Sequence, residues 1–276
     1  MPNSSEIARI LFISDIYGKE GKKAVFHRLP YYIENKAVSF VIANGENIAG
    51  GFGITGNLAE KLFSYGIDVI TSGNHFWDRR DEIIEMAEKN DRILRPANYP
   101  DTLPGFGSTV MKDKNGISIG VINIQGRVFM PPLDSPFRIV KEEIESVKEK
   151  AKIIIVDFHA EATSEKKAMA YWLKNDVSAL IGTHTHIQTA DETIFPEGMA
   201  YITDAGMTGV QDSVIGTKPD CAVEHFVTSL NVRFEPAKGN PHFCALLIDI
   251  SPQTGKAINI ERIREFVPYG EYDDND

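Results

Sequence analysis

Gly182-Thr183-His184-Thr185-His186 places two imidazoles two residues apart, and Gly73-Asn74-His75 lies well upstream of it. Alternate residues of an extended segment point the same way, so His184 and His186 could aim at one small volume. Each motif follows an apolar run that ends in glycine, which is how buried strands present polar ligands at the carboxyl edge of a sheet. The pattern recurs. Asp15 follows Ile10–Ser14, Glu46 and Asn47 follow Phe40–Ala43, and His159 closes the run that begins at Ile153. Carboxylate, amide oxygen and imidazole together suit first-row metal ions. Two such ions ~3.5–4 Å apart can clamp the attacking and leaving oxygens of a phosphoryl displacement. A carboxylate must then bridge two cations that repel each other, and Glu46 sits between the other candidates. His75 follows Asn74, so its ring would hang beside the metals without ligating one, a position suited to a general acid or a phosphate contact. The nucleophile would be a metal-activated hydroxide.

Each residue has a plainer reading by itself. Asp15 could cap the following helix. Glu46 and Asn47 could belong to the glycine-rich turn that ends at Gly56. Asn74 could be turn chemistry, and His75 and His159 locally bonded polar groups. Five such coincidences at the ends of five strands are a poorer explanation than one metal site. His27, His225 and His242 lie outside these clusters and read as structural. Gly50–Gly53 and Gly126-Arg127 could line a pocket, and Arg127 could pair with a phosphate or with an acidic neighbour.

The elements that must position these residues alternate. Strand-like runs at 9–13, 38–43, 69–71, 117–123, 153–158 and 179–181 are separated by helical segments near 22–35, 56–65, 79–90, 137–150 and 164–174. This alternation predicts a mostly parallel or mixed sheet covered by helices. Runs at 200–203 and 245–250 read as late strands, antiparallel and nearer an edge. The stretch 206–237 is the least regular and reads as a lobe or lid beside the site. Residues 1–268 read as one domain, followed by an acidic, frayed tail at 269–276.

A chain of 276 residues can bury a sizeable core. The net charge of −10 disfavours extended nucleic acid and anionic membranes, though not a small phosphodiester or an RNA end. Cys221 and Cys244 form no metal motif and read as reduced thiols. With neither a signal-peptide pattern at the start nor an apolar stretch of ~20 residues, the expectation is a soluble cytoplasmic protein, and a homo-oligomer is compatible with it.

The motifs Ala43-Asn-Gly-Glu-Asn47, Gly73-Asn-His75, Arg95-Pro-Ala-Asn98, the run from Asp157 to Glu165, Gly182 to Asp191 and Ala200 to Gly209 resemble the calcineurin-like metallophosphoesterases, and within them the YmdB-like bacterial phosphodiesterases. The resemblance covers nearly the whole chain. It implies a four-layer α/β/β/α sandwich of two mixed sheets and a dinuclear centre of iron or manganese. The implied substrates are cyclic nucleotides of the 2′,3′- or 3′,5′-cyclic AMP type. It also implies that Asp15, Glu46, Asn47 and His186 hold one metal and that Glu46, Asn74, His159 and His184 hold the other, with His75 catalytic. Asp15-Ile16-Tyr17 departs from the superfamily's Asp-x-His opening, and Asn47 is placed to make up the missing ligand. Alternatives are a phosphomonoesterase, a nuclease acting on short RNA ends, or a regulatory protein that senses nucleotides through the metal site.

Overall fold

The structure, a computed structural model, describes residues 7–268. The acidic segment 269–276 read as a tail lies outside them. The chain opens with β1 (Ala8–Ile13), the short β2 (Asp15–Ile16), α1 (Gly18–Asn35), β3 (Phe40–Asn44), α2 (Gly56–Ser64), β4 (Val69–Thr71) and α3 (Arg80–Lys89). β1, β3 and β4 are parallel neighbours. A second set follows: β5 (Ser108–Lys112), β6 (Ser118–Gln125), α4 (Pro136–Lys148), β7 (Ile153–His159), α5 (Thr163–Leu173), β8 (Ala179–Thr183), β9 (Thr193–Ile194) and β10 (Ala200–Ile202). These strands form a six-stranded sheet in the order β5-β6-β7-β8-β10-β9. The chain then returns to the first sheet with β11 (Met207–Val210), α6 (Pro219–Thr228), β12 (Pro241–Ile250) and β13 (Ala257–Phe266), completing seven strands.

Residue alternation explains the layers. Ile10 and Phe12 of β1 pack with Val121, Ile155 and Ile181 of the second sheet, between the two sheets. Leu11 and Ile13 face the other way, onto Val25 and Leu29 of α1, Leu62 of α2 and Ile83 of α3. On the far side, Ile154 and Val156 of β7 pack against Ile144 of α4 and Met169 of α5. Strands buried on both faces read as continuous apolar runs, and here they lie between helical layers as parallel sheets require. The expected four-layer α/β/β/α sandwich is therefore observed.

Two local expectations are corrected. β10 runs parallel to β8, not antiparallel. β12 is antiparallel to β1 as expected but lies in the interior, with β1 on one edge and β13 on the other. A short apolar run reports burial and is silent about which neighbour it pairs with. The irregular stretch 206–237 contains β11 and α6. Val223, Phe226 and Val227 of α6 stay exposed, so the helix shows no core-facing apolar stripe. Among the described residues no helix is long and apolar enough to cross a membrane, and Cys221 and Cys244 are both free thiols.

Candidate metal centre

The parallel strands of both sheets end on one side of the molecule. Asp15 follows β1, Glu46 follows β3, Asn74 follows β4, His159 ends β7, and His184 follows β8. In the second sheet Gln125, His159 and Thr183 stand level. All seven residues read as ligands from the sequence meet there. His159 Nε2 lies 2.8 Å from Glu46 Oε1, 3.2 Å from Asn74 Oδ1 and 3.0 Å from His184 Nδ1. In the adjoining half, His186 Nε2 lies 3.2 Å from Asn47 Oδ1 and 3.8 Å from Asp15 Oδ1. Asp15 also receives the His184 backbone N–H at 3.3 Å, which joins the halves.

His184 and His186 do not lie on an extended segment. Both have left-handed backbones, with φ of 99° and 64°. Their rings thereby enter different halves of the cluster, where a strand would have set them side by side. Asp204, after β10, holds the turn: its Oδ2 accepts from the Thr185 backbone N–H at 3.1 Å and the Thr185 hydroxyl at 2.7 Å. Lys166 of α5 donates to the same oxygen at 2.6 Å, and both ions are buried. Lys166→Met leaves the Asp204 carboxylate buried with its hydrogen bonds and without its counter-ion. It is expected to lower the unfolding free energy by roughly 3–5 kcal/mol in urea titration. Adding Asp204→Asn should recover part of that loss, and an unshifted midpoint in the single variant would exclude the pair as a support of the turn.

The protonation pattern turns acceptors toward the centre. Thr183 Oγ1 donates to Asp157 Oδ1 at 2.7 Å, so it accepts from His159 Nδ1–H at 2.9 Å. His159 thus presents Nε2 inward. His186 donates Nδ1–H to the Ile215 carbonyl at 2.8 Å and presents Nε2, while Glu161, 3.2 Å from His184 Nε2, leaves Nδ1 of that ring inward. Asn47 Nδ2 donates to the Gly51 carbonyl at 3.0 Å, which turns Oδ1 to the cluster. Tyr17 closes the Asp15-Ile16-Tyr17 segment. Its ring meets His186 edge-on at 5.7 Å and its hydroxyl is 3.3 Å from Thr217 Oγ1, so it packs against a candidate ligand.

Convergent carboxylate, amide and imidazole groups are the donor set of a metal site. Asp15 Oδ1 is buried without a hydrogen-bond partner, and burial drives its carboxyl well above the usual range. Burial likewise raises Asp157, against the pull of His159 and three hydrogen bonds. Burial opposes charge on His159 too, yet adjacent Glu46, with Asp15 and Asp157, raises it to about 9. Burial would also raise Glu46, but His159 outweighs it and holds that carboxyl at about 2. Burial and then the charge on His159 push His184 down to about 3, and burial lowers His186. A metal would need these carboxylates ionised and these imidazoles neutral, so its binding would release protons. Glu46, His159 and His184 bring ligand atoms within 4.8 Å of one another. Space is reserved as well: a Cβ on Gly73 would collide with both Glu46 Oε2 and His159 Nε2. The residues fit a bound metal.

His75 stands at the rim. Its backbone N–H donates to Glu46 Oε2 at 3.2 Å, and its Nδ1 lies 2.8 Å from Asp78 Oδ2. The ring is partly exposed and meets Phe52 edge-on at 5.3 Å. Of the glycine-rich segment, Gly50 and Phe52 line a cavity beside it. Arg127 lines a separate cavity with Glu165, and its backbone N–H, not its guanidinium, bonds that carboxylate. His27, His225 and His242 are outside the cluster and pack on Phe26, Phe234 and Phe266.

Sequence reasoning misses Asp78, Thr183, Lys166 and the Ile215 carbonyl as supports, and does not single out Asp204. Asp204 carries the signal used for the ligands, a carboxylate closing an apolar strand. Lys166 and Ile215 carry none, because their roles exist only across chain-distant contacts.

The model of a family described as YmdB-like protein matches residues 11–263. A Bacillus subtilis (strain 168) protein named 2′,3′-cyclic-nucleotide 2′-phosphodiesterase is 45% identical over 255 residues, spanning 92% of this chain and 96% of its own. A crystal structure described as a hypothetical protein from Thermus thermophilus superposes with a TM-score of 0.88 at 38% identity, over 94% of this chain and 100% of the other. One described as a novel phosphatase from Mycoplasma pneumoniae superposes with a TM-score of 0.89 at 32% identity, over 96% and 95%.

Proposed function

This chain belongs to the YmdB-like family, and from that premise we propose that it is a dinuclear metal-dependent phosphodiesterase acting on cyclic nucleotides of the 2′,3′ type, and on the 3′,5′ type as a second substrate. The observation that carries the proposal is the convergence of seven buried or half-buried acceptors at the strand ends of both sheets. Asp15, Glu46, Asn47 and His186 would hold one ion, and Glu46, Asn74, His159 and His184 the other. Bound there, the ions would lower the pKa of a water and neutralise the phosphate oxygens. Iron or manganese suits this mixture of imidazole with carboxylate and amide oxygen.

The chain's own residues then have separable tasks. Glu46 would supply the negative charge that offsets the repulsion between the two ions. Asp157, through Thr183, fixes the His159 tautomer, the kind of outer support that metal-ligating histidines use. His75 delivers a proton to the departing oxygen, with Asp78 orienting its ring. The hydrolysis needs no other reactant: the oxygen of water bonds to phosphorus, one ester P–O bond breaks, and the freed oxygen takes the proton.

Protein purified without chelator should carry about two first-row ions per chain. It should hydrolyse 2′,3′-cyclic AMP faster than a phosphomonoester or unmodified single-stranded RNA in a side-by-side panel. Protein that binds no metal, or whose diester hydrolysis survives exhaustive chelation, would rule the reading out.

A further inference from the structure

A cavity of about 610 Å³ opens beside His75 and plays no part in the chemistry above. One wall is the turn carrying Phe52, together with Arg79. The other is His225 and the segment 231–236 of the lobe. Phe52 joins the cavity to the centre, because its ring is the one packed against His75. Phe52 and Phe234 are 39% and 37% exposed, so each offers part of a ring to an occupant. His225 stiffens the lobe wall, with its ring 5.5 Å from Phe234 and its Nδ1 bonded to the Leu230 carbonyl at 2.8 Å.

The charge of this wall runs against that of the molecule. The chain carries −10, yet Arg79 and Arg233 both line the cavity. Arg79 has only a loose, exposed contact with Glu82 at 3.5 Å, a kind that contributes little. Arg233 makes no hydrogen bond or salt bridge among the described residues, and its charge adds to that of Lys218 in lowering the Glu235 carboxyl. The carboxylate on the same wall, Glu235, is already bonded to Lys218 at 2.5 Å. Half-exposed rings interleaved with arginines are a recognition set for a base and its phosphate: every base has a face to stack, and guanidinium matches phosphate geometry.

We propose that this groove is a subsite for the nucleotide that precedes the cyclic phosphate, so that the enzyme acts on short oligoribonucleotides ending in a 2′,3′-cyclic phosphate in preference to free cyclic mononucleotides. The proposal rests on the phosphodiesterase reading. At such an end, the oxygen of water bonds to phosphorus, the P–O2′ bond breaks, O2′ takes the proton, and a 3′-phosphate remains. The upstream phosphate and base lie against Arg79, Arg233, Phe52 and Phe234.

The test compares kcat/KM of the metal-loaded protein for a diadenosine dinucleotide with a 2′,3′-cyclic phosphate end and for 2′,3′-cyclic AMP. The expected ratio is about tenfold or more in favour of the dinucleotide, the size that one stacked base supplies. Arg233→Ala and Phe234→Ala should each bring the ratio toward one, and added salt should lower it in the wild type. The ratio is insensitive to a general loss of active protein, and metal content checks that each variant retains the centre. A wild-type ratio near one, or a ratio that neither substitution moves, overturns the proposal. Hydrolysis of neither compound would instead bring down the phosphodiesterase reading itself.

Discussion

Replacing Glu46 by Gln is expected to remove bound metal and diester hydrolysis together. The amide keeps the shape of the side chain, and its oxygen can still meet His159 Nε2, which lies 2.8 Å from the native carboxylate. What disappears is the negative charge of the carboxylate proposed to bridge the two ions. Two like cations at the short spacing of a dinuclear site repel strongly in a buried setting, and a neutral amide cannot offset that repulsion. Glu46 is fully buried, and His159 holds it ionised at about 2 against burial. No shift of pH within the neutral range mimics the substitution. Metal content should fall from about two ions per chain to below one, with activity reduced by at least the roughly 10²–10³-fold typical of losing one key electrostatic group. Metal analysis beside the cyclic-nucleotide assay makes the check. A variant that keeps both ions at full occupancy would show that the bridge is elsewhere.

His75→Ala should do the opposite to the two readouts: metal stays, turnover goes. The contact of His75 with the cluster is its backbone N–H to Glu46 Oε2 at 3.2 Å, which alanine retains. The ring points to Asp78 and Phe52, so its loss disturbs no candidate ligand. A positioned acid contributes about 10²–10⁴-fold, and kcat for a cyclic nucleotide should fall within that range. The leaving group separates the two tasks open to this ring. A p-nitrophenolate departs without protonation, so bis(p-nitrophenyl) phosphate should lose far less than the nucleotide if His75 is an acid. Equal losses on both compounds would make it a phosphate contact. Unchanged turnover on the nucleotide would remove it from the reaction.

The centre is legible in the sequence because ligand chemistry and strand chemistry are both local. Asp15, Glu46, Asn74 and His159 each close or follow an apolar run, and a parallel strand buried on both faces has to release its polar residues at its end. Parallel strands then deliver those ends to one edge, which is why the candidates meet. Pairing within the sheets is less legible. Nothing in the run at 245–250 says that β12 lies between β1 and β13 rather than at an edge, because hydrophobicity encodes burial and not the identity of the neighbour.

The geometry of His184 and His186 marks the limit most clearly. Their spacing predicts an extended pair pointing one way. The fold sets both in left-handed conformations through a turn tied to Asp204, and Asp204 is in turn held by Lys166 on α5. Residues 166, 185 and 204 are far apart along the chain, and no local propensity links them. The sequence by itself determined which side chains could bind metal and that strand ends would present them, since residue type and apolar periodicity are properties of short segments. Only the tertiary structure decided which hydrogen bonds orient the His159 and His186 rings, and that an arginine-flanked groove adjoins His75. Those outcomes depend on hydrogen bonds and packing between segments that become neighbours only when both sheets are assembled.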